Sequence, residues 1–319
     1  MLISKRILIL ICIGCFGFQM VGYATMKKKY VIGFSQVTTT EPWRLYFNKE
    51  LRAEAEKYPE VQLIVRDGND NIHKQIADLE DFIKMKVDVI LISPKTAQEP
   101  TAVINKAYQA KIPVIVLDRD ITNDQYTQFI GGDNKVIGKA AGQYIVNFLG
   151  GKGKAKGNIV EIWGGKLSTP AQDRHSGFYD LIKQEPGIKI LGEGKDGDWK
   201  QDNAYEIMAD AIEQFPKIDV VYAHNDPMAF GAYLAAKDMG LHHRIKFFGI
   251  DGIPIEGVRW VYDGILTATF LYKTPGDEGI RQAMRILNGK KVAKRISLPT
   301  MVIDKSNAGK ILKQNGLIR

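Results

Sequence analysis

Cysteine is nearly absent from this sequence. Of 319 residues only Cys12 and Cys15 carry a thiol, and both fall in one N-terminal apolar run. A chain cleaved after that run would hold none, which excludes a disulfide framework and thiolate metal sites from the remainder. Histidine is scarce as well. The five histidines, His73, His175, His224, His242 and His243, show no zinc spacing, and the last two are adjacent. The 150–157 stretch has glycines and lysines but no Gly-Lys-Ser/Thr end, so it is no phosphate loop. Asp196-Gly197-Asp198-Trp199-Lys200-Gln201-Asp202 mimics the first half of a calcium loop. Lys200, however, occupies a ligand position, and Gln201 stands where glycine is required. Asp173, His175 and Ser176 are too close in sequence to form a triad by spacing. With no metal, no cofactor and no nucleophile–base pair in view, the chain is not expected to be an enzyme.

What is present is ordinary bulk with one distinct end. Apolar residues make up 45% and charged residues 25%, and the length allows one large domain or two of ordinary size. The formal net charge is +8. The lysines are spread over the chain apart from 27–29, 151–157 and 289–295, so solvated faces and export-related charge are expected and no nucleic acid partner. Lys5 and Arg6 precede an apolar run at 7–21, and Gly22-Tyr23-Ala24 offers a cleavage site after Ala24. Residues 1–24 therefore read as a secretory signal peptide, and the run is shorter than the roughly 18–20 residues that span a bilayer. Ile13-Gly14-Cys15 also resembles the end of a lipobox, although Cys12 stands where leucine is usual. Simple cleavage, lipidation at Cys15 and a retained anchor stay open.

From Tyr30 onward short apolar runs alternate with helical spacing. Strands are expected at 30–35, 61–65, 87–92 and 113–117, with helices at 43–57, 71–85 and 99–110. Ile76, Leu79 and Ile83 carry the three-and-four spacing of a one-faced helix. After a short strand at 127–130 and the turn cluster Gly131-Gly132-Asp133-Asn134, the rhythm begins again. Further strands fall at 158–163, 188–191, 219–223, 246–250 and 266–271, with helices between them and one at 276–287. Two rounds of βα units predict an α/β chain of two similar lobes, each a parallel sheet flanked by helices. The final apolar stretch, 296–303, should return to one of the lobes.

The ends of the apolar runs carry the chemistry. Val114–Leu117 leads into Asp118-Arg119, Val220–Ala223 into His224-Asn225-Asp226, and 247–250 into Asp251-Gly252. Ligands of parallel α/β sheets bind outside the carboxyl ends of the strands, so these groups predict one polar cleft. Asp118 and Arg119 could form a structural ion pair or bind ligand hydroxyls through charge-assisted hydrogen bonds. Asn225 offers both donor and acceptor. Trp43 and Trp199 sit in polar surroundings at strand-to-helix junctions, where an indole face either packs or covers a sugar ring.

Ile32-Gly33-Phe34-Ser35-Gln36, Ile92-Ser93-Pro94, Leu117-Asp118-Arg119, Gly132-Asp133-Asn134, Ala223-His224-Asn225-Asp226 and Gly249-Ile250-Asp251-Gly252 together resemble the periplasmic sugar-binding proteins of the ribose/galactose type. The resemblance runs from Tyr30 to about residue 307, and Pro42-Trp43-Arg44 and Gly197-Asp198-Trp199 place it nearest the galactofuranose-binding branch. It implies the type I periplasmic binding protein fold, with three hinge crossings near Gly132, Tyr272 and Pro299. The lobes would then be 25–132 plus 273–298 and 133–272 plus 299–319. It implies that Trp43 and Trp199 sandwich a sugar, that Asp118 and Arg119 bind it from the first lobe, and that Arg174, Asn225 and Asp251 bind it from the second. Arg44 resembles an additional donor, and Asp67 would line the floor. Tyr272 falls where relatives carry Gln or Glu, and a phenol cannot copy a carboxylate's acceptor pattern, so the sugar itself is not carried over.

The implied function is an exported monomer in the periplasm or another extracytoplasmic space. It would capture a monosaccharide, with a furanose-form pentose or hexose favoured and a pyranose open, and deliver it to the permease of an ABC transporter. The alternative is a sugar-sensing domain that presents its closed form to a sensor kinase or chemoreceptor. A repressor of the lac type shares the fold but needs about 50–60 residues of DNA-reading helices before it; only 29 residues precede Tyr30. Asp118 and Asp251 could imitate a glycosidase pair, which hydrolysis of an aryl glycoside would reveal.

Overall fold

A computed structural model describes residues 30–319. The expected signal peptide at 1–24, with Cys12 and Cys15, lies outside the described residues. Among the described residues no helix is long and apolar enough to cross a membrane.

The first sheet uses β1 (Tyr30–Gln36), β2 (Val61–Asp67), β3 (Val89–Ile92), β4 (Val114–Leu117), β5 (Gln128–Gly132) and a late strand, β12 (Arg295–Leu298). Their order is β12-β5-β4-β3-β1-β2, all parallel. Every residue of β3 and β4 is buried, which is why these runs read as unbroken apolar tetrads. Helices α1 (Pro42–Ala55), α2 (Ile72–Met85), α3 (Thr101–Gln109) and α9 (Gly276–Leu287) cover the sheet. The Asn71 side chain caps α2 by accepting from the backbone N–H groups of His73 and Lys74, and Lys86 closes it in the left-handed conformation.

The second sheet repeats this order. It contains β6 (Gly157–Trp163), β7 (Ile188–Ile190), β8 (Lys195–Asp196), β9 (Val220–Ala223), β10 (Lys246–Asp251), β11 (Ala268–Leu271) and β13 (Val302–Asp304). The order is β13-β11-β10-β9-β6-β7, with β8 also on β6. Helices α4 (Asn134–Phe148), α5 (Thr169–Ile182), α6 (Gln201–Gln214), α7 (Asp226–Asp238), the short α8 (Arg259–Tyr262) and α10 (Ala308–Gln314) belong to this half, with a π-helical turn at Pro254–Val258 before α8. Helices α4 and α5 meet closely because Gly138 and Gly177 lack side chains. A Cβ at Gly138 would collide with the Arg174 carbonyl, and one at Gly177 with that of Lys135.

The chain passes between the sheets three times: after β5, after β11 and between β12 and β13. The expected two-lobed α/β architecture is present, with two differences. The 296–303 stretch does not return to one lobe. It splits, β12 completing the first sheet and β13 the second, and β13 runs antiparallel to β11. Only Pro299, Thr300 and Met301 separate the two strands, so the chain leaves one sheet and enters the other within three residues. One apolar cluster contains core residues of both lobes, from Phe34 and Phe47 to Phe248 and Phe270, with Trp43 and Tyr272 among its members.

Candidate functional site

The carboxyl ends of the strands of both sheets face one interlobe cavity of about 380 Å³, within the size range of small-molecule clefts. Helix starts complete its wall: Pro42 of α1, Pro170 of α5, Gln201 of α6 and Pro227 of α7 all line it. Nine of the ten residues expected at the site line the cavity. They are Trp43, Arg44, Asp118, Arg119, Arg174, Trp199, Asn225, Asp251 and Tyr272.

Asp67 is the exception. It ends β2, the outermost strand of its sheet, and its carboxylate accepts hydrogen bonds from the Thr39 hydroxyl and the Asn69 backbone N–H. An exit on an edge strand lies beyond the strands whose ends form the cleft.

The first-lobe wall is a buried charge network. Arg44 and Asp118, each 3% exposed, form an ion pair at 3.0 Å. Arg44 Nη1 also donates to Gln36 Oε1 and Ser93 Oγ, both at 3.0 Å, and its Nε donates to Glu41 at 3.2 Å. The Ser93 hydroxyl donates to Asp118 Oδ2 at 2.9 Å, and the Tyr272 hydroxyl to Asp118 Oδ1 at 2.7 Å. Burial works to raise the Asp118 pKa, but Arg44, Arg119 and these hydrogen bonds outweigh it and hold the carboxyl below its ordinary value. Most of Arg44's donors are thus spent inside the wall. Tyr272 does not copy an acceptor: it donates to the carboxylate and stacks on Trp43, ring centroids 5.1 Å apart, while Trp43 Nε1 donates to the Tyr272 carbonyl.

The second-lobe wall is built around Arg174, which is 1% exposed. Its Nε donates to Asn134 Oδ1 at 2.9 Å and its Nη1 to the His224 carbonyl. The guanidinium carbon lies 4.5 Å from the Tyr272 ring centroid and 5.3 Å from that of Trp199. Arg119 of the first lobe also faces Trp199, at 5.5 Å. Asn225 caps α7 by accepting from Met228 N–H, and it donates to the Trp199 carbonyl at 3.0 Å. One amide hydrogen and one lone pair therefore remain for a ligand.

Asp251 differs from Asp118, the other buried acid of the cleft. It is 6% exposed and its carboxylate makes no hydrogen bond with the described residues. Burial pushes its pKa well above the usual range; Arg174 pulls it back, while Asp226 and Glu256 push it up. Its backbone is strained as well, at φ 137°, and Asp118 (φ 67°) and Trp199 (φ 66°) share positive φ values. Such outliers concentrate where a fold holds groups for function. Trp199 Nε1 is likewise buried without a partner among the described residues.

Sequence reasoning missed part of the lining. Thr40, Glu41, Lys200, Asp202, Asn203, Glu256 and Trp260 also face the cavity. Glu256 lies on the π-helical turn that follows Asp251, where burial, and then Asp226, raise its pKa to about 7. Across the rim, Lys200 of the second lobe lies 2.7 Å from Asp198 and 3.8 Å from Asp70 of the first. Among the described residues no group of three or more histidine, cysteine or acidic side chains is arranged to hold a metal ion.

Two α/β lobes facing each other across a polar cleft define a hinged solute-binding module. Residues 32–291 match the model of the periplasmic binding protein domain, and the chain belongs to that family. It is 35% identical over 231 residues, 70% of this chain and 71% of the other, to the galactofuranose-binding protein YtfQ of Escherichia coli K12. It is 29% identical over 275 residues to the ribose import binding protein RbsB of Bacillus subtilis 168, covering 86% of this chain and 87% of that one. Among solved structures, the fructose-binding periplasmic domain of the hybrid two-component system BT1754 is 40% identical, with a TM-score of 0.86 over 90% of this chain and 95% of that domain.

Proposed function

We propose that this chain is an exported sugar-binding protein that captures a monosaccharide, in furanose form, and delivers it to an ABC transporter. The observation that carries the reading is that two buried groups of the cleft, the Asp251 carboxyl and Nη2 of Arg174, make no hydrogen bond with the described residues. Both lie in a cavity sized for a small molecule. A hydroxylated ligand supplies the donors that Asp251 lacks and acceptors for Arg174. Trp199 and Trp43 give apolar walls for the C–H faces of a ring. The relatives' ligands, galactofuranose, ribose and fructose, support a sugar of this class.

The mechanism follows from the three crossings. Closing the lobes removes sugar hydroxyls from water, and each one left unpaired costs about 1–3 kcal/mol. The cleft therefore rejects epimers that misplace a hydroxyl. A membrane partner distinguishes the loaded protein by its closed surface, with no more energy than the ligand's preference for that form. The relatives are named as binding proteins, and binding without turnover is the reading we adopt; hydrolysis of an aryl glycoside that depends on Asp118 and Asp251 would overturn it.

The test is thermal unfolding of the chain from Thr25 onward against free pentoses, hexoses and sugar alcohols. A ligand at about 100 times its Kd adds roughly 2.7 kcal/mol and raises the midpoint. One sugar should do so, and Asp118→Ala and Arg174→Ala should abolish the shift. No shift with any sugar overturns the assignment. A second reading, presentation of the closed form to a sensor kinase, is favoured by the similarity to a domain of a two-component system. Binding of the closed form to a permease complex, and not to a sensor ectodomain, decides between them.

A further inference from the structure

Behind the second-lobe wall lies a buried cluster that the sugar-binding reading does not use. Glu161, on β6, is 2% exposed and sits between two imidazoles. His175 Nδ1 lies 3.0 Å from both of its oxygens, and His224 Nε2 lies 3.1 Å from Oε1. The Trp163 ring covers both imidazoles, with centroids 4.2 Å and 5.4 Å away. A carboxylate this deep is costly to bury and needs a compensating arrangement.

Both histidines connect to Arg174, whose other hydrogen-bond partner is Asn134. His175 is the next residue on α5, and the backbone carbonyl of His224 accepts Arg174 Nη1. We infer that Glu161 is a positioning residue for sugar capture, fixing the Arg174 guanidinium by clamping His175 and His224 from behind. The inference rests on the sugar-binding reading of the cleft. Ionised Glu161 only accepts hydrogen bonds, so both ring nitrogens facing it must carry a proton, and one tautomer of each ring is selected. Two elements separated in sequence, α5 and the exit of β9, are thereby locked in one register. Donation to Asn134 Oδ1 and to the His224 carbonyl then holds the guanidinium at the cavity wall, with Nη2 unbonded to the described residues.

Glu161→Gln preserves shape but not acceptor count. An amide oxygen in the place of Oε1 can still accept from both rings, but the amide nitrogen then stands where Oε2 was, 3.0 Å from the His175 Nδ1–H, donor against donor, and the His175 ring must turn or change tautomer. Affinity for the sugar found by the panel should fall about 10-fold in Glu161→Gln, and by no more than about 2-fold when the same change is made in Arg174→Lys, which keeps the charge and binding but has no guanidinium to position. Equal losses in both backgrounds overturn the inference while leaving the sugar reading intact. If no sugar binds the unaltered protein, the sugar reading fails, and ¹⁵N NMR of the unliganded protein still decides the clamp. Nδ1–H of His175, Nε2–H of His224 and a slowly exchanging Arg174 Nε–H are expected, and all three should be disturbed in Glu161→Gln. An Arg174 Nε–H signal that does not respond to the substitution refutes the positioning role.

Discussion

Replacing Asp118 by asparagine isolates the buried charge network of the first lobe. The position has φ 67°, and asparagine is among the few side chains that tolerate the left-handed region, so the backbone keeps its course. What changes is the charge. Arg44, 3% exposed, loses the counter-ion 3.0 Å from its Nη1, and the Tyr272 and Ser93 hydroxyls must share a single amide oxygen. Breaking a buried pair by removing one partner costs about 3–5 kcal/mol, because the other charge is left uncompensated; the more exposed Glu41, 3.2 Å from Arg44 Nε, offsets only part of that charge. At about 2–4 °C per kcal/mol, the midpoint of the unliganded protein should fall by roughly 6–20 °C at pH 7. Scanning calorimetry measures it. Adding Arg44→Met removes the stranded charge and should recover part of the loss. The acid side gives an independent check. Asp118's folded pKa lies below its ordinary value, so its stabilisation is in place above about pH 4 and is lost as pH falls through the folded value. The gap between the two proteins should therefore narrow in acid. A midpoint within about 2 °C of the unaltered protein at pH 7 refutes an ionised, network-bearing Asp118.

Glu256 gives the opposite slope. Its folded pKa is raised to about 7, so the fold favours the neutral acid, and stability is lost as pH rises from the ordinary carboxylate value through 7. The midpoint advantage of Glu256→Gln over the unaltered protein should grow between pH 5 and pH 8; a constant difference contradicts the assignment. Three tryptophans, Trp43, Trp199 and Trp260, line the cleft, while Trp163 lies against His175. Intrinsic emission should change on saturation with sugar, and Trp163→Phe should retain most of that change where Trp199→Phe does not. The half-exposed Lys200–Asp70 contact across the rim is worth at most about 1 kcal/mol. Lys200→Gln should speed sugar release up to about 5-fold at low salt, and stopped-flow traces should converge at high ionic strength.

The strand exits were legible because a buried parallel strand is a short apolar run, and Asp118, Asn225 and Asp251 interrupt such runs at their ends. Strand order is not written in that pattern. Asp67 ends a run that looks the same but belongs to the edge of its sheet, which is why it falls outside the cavity. Arg174 had no local signal, since it stands mid-helix between Asp173 and His175, and only the family resemblance pointed to it. The clamp behind it was illegible for a plainer reason. Glu161, His175 and His224 come from β6, α5 and the exit of β9, and no spacing rule joins them. His175, set aside as the centre of a triad with Asp173 and Ser176, pairs instead with Glu161. The segment after β10 forms a π-helical turn followed by a single α-turn, an irregularity that helical spacing does not announce and that places Glu256 in the cleft.

The late strands set an order on folding. The first sheet has β1 to β5 once residue 132 has been made, but its edge strand β12 and the helix α9, whose Ile280, Ala283 and Met284 lie in the core, arrive only after the second lobe. The second sheet waits for β13, three residues beyond β12. Contacts this distant in sequence are slow to close. A nascent chain therefore stays incompletely packed, with core surface exposed, until almost its last segment emerges. That delay is a hazard where aggregation competes, and for a chain that must be threaded through a membrane before it folds, it is the interval in which threading is possible.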